Sequence, residues 1–225
     1  MTKTMKKHSA LIHALLFTGI YYLIIYVIAS LPISFWQSLH LYSSGNAIAF
    51  INQIFIICHC IVLCCALFLF RKTLKNDAQL LMQHKGKTLL LWVIGLIAII
   101  ISGFLFIHGT SDNENALNIM MSNISAKQLL IFQLIVIFVG PLNEEMMFRE
   151  VIIGQLSRYL PKTLLLILSS AFFAYLHIPS LSAWPQAIPY FANGLILGIV
   201  YIKGGNNVLA SYGLHVINNL LSSLL

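Results

Sequence analysis

Residues 143–149 read Asn-Glu-Glu-Met-Met-Phe-Arg, and they lie inside an apolar run that begins LLIFQLIVIFVGPL and resumes as VIIGQL. Glu144, Glu145 and Arg149 therefore fall at membrane depth in one long predicted helix. A charge near the centre of a bilayer costs roughly 2.5–3.5 kcal/mol on insertion scales. Three such residues within six positions must face a protein interior or a polar cavity, and they mark a functional site rather than a lipid-facing surface.

The rest of the chain agrees with a membrane protein. It is 59% hydrophobic and 8% charged, with a mean hydropathy of +0.89, which places it outside the ordinary soluble classes. The formal charge of +7 invites a nucleic-acid reading, but the basic residues are scattered over connections and form no soluble basic patch. No nucleic acid is expected as a partner; the bilayer itself is. At about 20 apolar residues per crossing, the sequence predicts an all-α, polytopic bundle of about seven spans: 10–31, 47–70, 88–107, 128–157, 163–178, 187–202 and 205–224. The first three form an N-terminal region, 1–127, and the last four a core, 128–225. The long apolar run near the N-terminus exceeds a usual signal-peptide core and carries no convincing cleavage site, so it is read as a retained first span in a cell-membrane, multi-pass protein.

Orientation follows from charge. With the N-terminus cytoplasmic, Lys3, Lys6, Lys7, Arg71, Lys72, Lys75, Lys85, Lys87, Arg158, Lys162 and Lys203 all fall inside, and only Lys127 falls outside. That asymmetry is what the positive-inside rule requires. Trp36 and Trp184 fall in the external connections, where an interfacial aromatic belt would put them. Cys58, Cys60, Cys64 and Cys65 lie in a single apolar run with His59, and packing explains them better than a disulfide framework or a metal site. Asn52 and Gln53 in the same span read as interhelical hydrogen-bonding residues, and Gly194 and Gly198 as a close helix contact.

Helix arithmetic brings three distant segments to one layer. Glu144 lies about 21 Å from the inner end of its helix, His177 at about the same depth, and His215 about 15 Å in, at 1.5 Å per residue. Glu145 and Arg149 are spaced i,i+4 with the acid first, the favourable order for a helical ion pair. Glu144 is turned away from that pair and is free to act as a general base toward water. Pro141, three residues earlier, removes a helical hydrogen bond and is expected to kink the helix and open a cavity. Phe173 and His177 share one helix face at a spacing of four, as do His215 and Asn219. The Asn219 amide can hold a neighbouring helix or an oxyanion.

These residues resemble the pattern of the CPBP (Abi) intramembrane proteases, which include the CAAX prenyl endopeptidases and bacteriocin-processing homologues. The pattern is E-E-x-x-x-R, F-x-x-x-H and H-x-x-x-N on successive helices; here it is Glu144, Glu145 and Arg149, then Phe173 and His177, then His215 and Asn219. The resemblance covers about residues 128–223. One departure is Glu150, which stands where the family usually has Gly, and an extra acid there can either pair with Arg149 or perturb the site.

The resemblance implies an intramembrane endopeptidase that hydrolyses a peptide bond of a membrane-associated protein or peptide. Glu144 would activate water with His177 assisting, His215 and Asn219 would hold the oxyanion, and Glu145, Arg149 and Phe173 would support the site. We favour a reaction with no required cofactor; the alternative is Zn²⁺ held by Glu144, His177 and His215, a donor set that leaves one position for water. A role in bacteriocin processing or self-immunity is one setting for such an enzyme. The competing reading is a non-catalytic membrane immunity or scaffold protein that keeps the protease fold. A transporter is disfavoured, because the chain lacks paired, broken hydrophobic segments in two similar halves.

Overall fold

The computed structural model describes residues 3–106, 111–122 and 124–224. Residues 107–110 and 123, at the end of the third predicted span and within the polar connection after it, lie outside the described residues, as do the side chains of Lys3, Lys6 and Lys7. Among the described residues the chain is mainly helical and has no strands. Five helical stretches are long and apolar enough to cross a membrane: Leu11–Ile28, Ala47–Leu69, Lys85–Phe106, Ala126–Arg158 and Leu181–Lys203. The protein is an all-α, polytopic membrane bundle.

The helices are α1 (Lys3–Tyr21, continued by a π-helical stretch to Ile28), α2 (Ile33–Ser38), α3 (Ala47–Leu69), α4 (Arg71–Gln83), α5 (Lys85–Phe106) and α6 (Asp112–Met121). They continue as α7 (Ala126–Leu134), α8 (Gly140–Glu145), α9 (Lys162–Tyr175), α10 (Trp184–Lys203) and α11 (Val208–Ser222). Both polar connections, expected as loops, contain a helix: α4 within 71–87 and α6 within 108–127.

The two remaining predicted spans are shorter than the sequence suggested. α9 stops at Tyr175, because Pro179 lies just beyond and disfavours helix in the residue before it. α11 starts only at Val208, because Gly205 (φ 94°) and Asn206 (φ 55°) turn the chain in the left-handed region and Asn207 then caps the helix. At 14 and 15 residues these helices run about 21–23 Å, less than a full hydrocarbon core of about 30 Å.

Hydrogen bonds sort the connections into two ends. At one end Asp77 of α4 accepts from the backbone N–H of Val208, Asn207 donates to the Asp77 carbonyl, and Lys162 donates to Asn206. At the other, Ser111 and Asn113 bond Tyr190, and Asp112 bonds Gln186. Arg71, Lys72, Lys75, Lys85, Lys87, Arg158, Lys162 and Lys203 belong to the first end, all exposed, while the nearby acids Asp77 and Glu150 are buried.

The main core is shared across the predicted boundary at 127. Phe17 and Tyr21 of α1 and Val62, Ala66 and Phe70 from α3 and its end interlock with Met146, Phe148, Val151, Ile153 and Phe173. Phe17–Phe70 and Tyr21–Phe148 meet edge to face, with ring centroids 5.4 Å and 6.4 Å apart. Each such aromatic contact adds about 0.5–1.5 kcal/mol beyond area burial. Conversely, many large apolar side chains of α5 are exposed, including Phe104 at 85%, as expected of a surface that meets lipid.

Candidate active site

The stretch Ala126–Arg158 builds the site. Ser125 and Gln128 form a reciprocal capping box that starts α7. The helix then widens into a π-helical stretch over Ile135–Val139, in which Gly140 N–H bonds the carbonyl five residues back, at Ile135. The carbonyl of Val136 would look to residue 141 in that register, and Pro141 has no N–H to give. Asn219 of α11 supplies the missing donor: its Nδ2 bonds the Val136 oxygen at 3.1 Å. The predicted distortion at Pro141 is thus a widening of the helix, closed by a side chain from another helix. A second π-helical stretch, Met146–Gln155, follows α8 at once, so Glu144 and Glu145 sit between two widened turns.

His215 lies against both acids. Its Nδ1 is 3.0 Å from Glu145 Oε1, and its Nε2 is 3.7 Å from Glu144 Oε2. The two carboxylates have different surroundings: the Glu145 side chain is 0% exposed, whereas that of Glu144 is 24% exposed. Glu145 also meets Arg149, Oε2 to Nε at 3.3 Å, which forms the expected i,i+4 pair. Arg149 is itself fully buried, with its guanidinium carbon 5.1 Å from the Phe173 ring centre and 5.8 Å from that of Phe148, and Nη2 donating to Gly194 O at 3.4 Å. The approach of α10 at that point favours glycine, since a Cβ on Gly194 would stand 3.0 Å from the Ser170 Cα. Gly198 makes a second close contact one turn on, against Leu166, as the small-residue spacing implied.

His177 stands just past the end of α9. Its Nδ1 lies 2.7 Å from the Phe173 carbonyl oxygen, which can only accept, so Nδ1 carries the proton and Nε2 is left as an acceptor. Phe173 joins the two histidines, with ring centroids 4.3 Å from His177 and 6.1 Å from His215. His177 lies within electrostatic reach of Glu144. The structure thus brings Glu144, Glu145, Arg149, Phe173 and His215 into one contiguous cluster, with His177 attached through Phe173. Asn219 is one turn beyond His215 and uses one of its two amide hydrogens on Val136.

Glu150 points away from this cluster. It is bonded by Gln155 and by the Tyr201 hydroxyl at 3.1 Å, and it makes no ion pair with Arg149. The extra acid forms a separate buried network toward the basic end of the bundle.

Several neighbours were not singled out by the motifs. Asn143, buried beside the acid pair, donates from Nδ2 to the His59 carbonyl at 3.0 Å and ties α3 to the site. Tyr21 and Tyr26 of the first span lie within electrostatic reach of Glu144. Tyr190 stacks on His177. An asparagine next to two membrane-depth acids was a legible signal; tyrosines in apolar helices gave none that set them apart from packing residues.

The zinc alternative would use Glu144, His177 and His215. Among the described residues no group of three His, Cys, Asp or Glu side chains is arranged to hold a metal ion. The four cysteines are free.

Residues 126–221 match the family model described as type II CAAX prenyl endopeptidase Rce1-like. No curated protein and no solved structure matches the chain.

Proposed function

We propose, on the premise that residues 126–221 belong to the type II CAAX prenyl endopeptidase Rce1-like family, that this chain is an intramembrane endopeptidase acting on a membrane-associated protein or peptide. The observation that carries the reading is His215 bridging two carboxylates of unequal exposure, with His177 on the same wall. Glu144, the accessible acid, takes a proton from water as the oxygen attacks the peptide carbonyl carbon. His177 Nε2, an acceptor, orients that water. The tetrahedral oxyanion is held by the second amide hydrogen of Asn219 and by His215 Nε2 when that ring carries its second proton. The proton on Glu144 then passes to the amide nitrogen, the C–N bond breaks, and Glu144 is restored as a carboxylate. Glu145 orients His215 through Nδ1, and Arg149 balances the Glu145 charge where neither meets water.

The test is cleavage by the purified protein, in detergent or nanodiscs, of a quenched fluorogenic peptide carrying a prenylated cysteine followed by three residues. Turnover by the natural sequence and none by Glu144→Gln is the expected result. Equal signal from both would remove Glu144 from the reaction. Processing of a bacteriocin precursor is the finer setting we propose, and a precursor encoded beside this gene, cleaved in the same assay, would support it.

A further inference from the structure

We propose that Tyr190 is a positioning residue for His177, an inference that rests on the protease reading for its kinetic consequence but not for its geometry. His177 lies two residues past Tyr175, the last residue of α9, so regular helix packing does not fix its ring. Three contacts do so instead. Two come from the F-x-x-x-H motif: the Phe173 carbonyl on Nδ1 and the Phe173 ring at 4.3 Å, inclined by 37°. The third comes from α10, where the Tyr190 ring lies 4.7 Å from the imidazole and inclined by 27°, a stacked arrangement.

Tyr190 is itself held at its far end. Its hydroxyl is 2.8 Å from Ser111 Oγ and accepts from Asn113 Nδ2 at 3.4 Å. One turn earlier, Gln186 Oε1 accepts from the Asp112 backbone at 2.9 Å, and its Nε2 donates to Asp112 Oδ2 at 2.8 Å. The start of α6 is thereby pinned along α10, with its own capping box of Ser111 and Glu114. The stacked ring of Tyr190, seated on α10, restricts the tilt of the imidazole, and the hydroxyl bonds add to that restraint. That restriction keeps Nδ1 on the Phe173 carbonyl and Nε2 aimed at the site. Free rotation would let the ring exchange its tautomer and turn a donor toward the water it is meant to orient.

The test compares Tyr190→Leu, which removes both ring and anchor, with Tyr190→Phe, which keeps the ring. Nitrogen NMR of ¹⁵N-histidine-labelled protein in nanodiscs, with the His177 signals identified by their loss in His177→Gln, should report a single Nδ1-protonated tautomer in the natural protein and in Tyr190→Phe. Tyr190→Leu should give averaged tautomers at His177 and leave His215 unchanged. With the prenylated peptide, Tyr190→Leu should lower kcat about tenfold with KM within about twofold, the upper end of what one aromatic contact supplies, and Tyr190→Phe should recover most of that loss. Unaltered His177 signals in Tyr190→Leu overturn the proposal, as does a Tyr190→Phe protein as impaired as Tyr190→Leu. Tyr190→Met replaces Tyr190→Leu if the latter yields no folded protein. If the natural protein cleaves nothing, the protease reading fails while the NMR comparison still decides the role of Tyr190.

Discussion

His215 is bonded through Nδ1 to Glu145, the second and fully buried acid of the pair, while its other nitrogen faces Glu144 at 3.7 Å. One carboxylate is thereby committed on both oxygens, to His215 and to Arg149, and the other keeps 24% of its side chain exposed. Two adjacent glutamates have different surroundings because one turns into the bundle and its neighbour stays partly exposed.

That division predicts the behaviour of the Glu145–Arg149 pair. Arg149→Ala leaves a carboxylate buried without its cation, and breaking a buried pair typically costs about 3–5 kcal/mol. Folded yield in detergent should fall sharply, and Glu145→Gln in the same molecule should restore part of it. Activity should not return with the yield, because the neutral amide introduced by Glu145→Gln is a weaker partner for His215 than a carboxylate. A double variant as poorly folded as Arg149→Ala alone would show that Arg149 is there for another reason.

Asn219 and Pro141 should be energetically coupled. Asn219 donates to a carbonyl that Pro141 leaves without a helical partner, so Asn219→Ala should cost up to about the 1–3 kcal/mol of an unsatisfied acceptor, this one being partly buried. Pro141→Ala supplies an N–H, and in that background the stability cost of Asn219→Ala should shrink to roughly a few tenths of a kcal/mol. Activity should still drop about 10²–10³-fold, as for one lost oxyanion donor. Additive stability losses in the double-mutant cycle would break the link between the two residues.

Much of this site was legible because membrane burial makes polar residues expensive. Glu144, Glu145, Arg149, His177, His215 and Asn219 stood out against apolar neighbours, and the i,i+4 ion pair followed from helix spacing alone. The sharing of Glu145 between Arg149 and His215 did not, since it depends on how α11 rotates against α8. The sequence assigned Asn219 to an interhelical bond or an oxyanion; only the π-helical register at Val136 reveals why a helix partner is needed there. The lengths of α9 and α11 were overestimated because apolar composition ran on toward Pro179 at one end and back before Val208 at the other. Tyr190 and Tyr21 were invisible for the opposite reason, as aromatic residues in apolar helices announce nothing until their neighbours are known.

The two ends of the bundle should lie on opposite sides of the membrane, with the N-terminus and α4 cytoplasmic. Apart from Lys127, the exposed cations cluster with α4, while α6 joins α10 at the far end, and the excess of Lys and Arg sets the orientation. Reporter fusions at Lys85 and Asn115 should give opposite signals, with Lys85 inside. The same signal from both would mean that α5 does not cross.

Asp77 gives a pH dependence outside the membrane. Burial pushes its carboxyl up to about 6, with repulsion from Glu150 adding to the shift and the Val208 N–H opposing it. A carboxyl whose folded pKa lies above its ordinary value of 3.8 favours the fold when protonated, and that contribution is lost as pH rises through about 6. Asp77→Asn keeps an oxygen for the Val208 N–H and cannot ionise. The melting temperature of the variant minus that of the natural protein should therefore rise between about pH 4 and pH 7, measured in steps of roughly one unit, and level off above. A difference that stays flat, or falls, would mean that Asp77 is already charged in the fold at little cost.

Glu144→Gln separates an enzyme from a scaffold. The change keeps size and removes basicity, so a general base should lose at least the roughly 10²–10⁴-fold that such catalysis supplies. Folded yield should hold or improve, since a neutral amide enters a membrane more easily than a carboxylate. Glu145→Gln should do the reverse on yield, because it strands Arg149. Prolonged treatment of the natural protein with a strong chelator should leave turnover intact if Glu144 activates water unaided; reversible loss restored by Zn²⁺ would overturn that mechanism and make Glu144, His177 and His215 ligands after rearrangement. An immunity phenotype in cells that persists in full with Glu144→Gln would detach that phenotype from proteolysis. In that case the bundle would be working as a binding surface, and the partly exposed carboxylate beside His215 would be a remnant of chemistry that the cell no longer uses there.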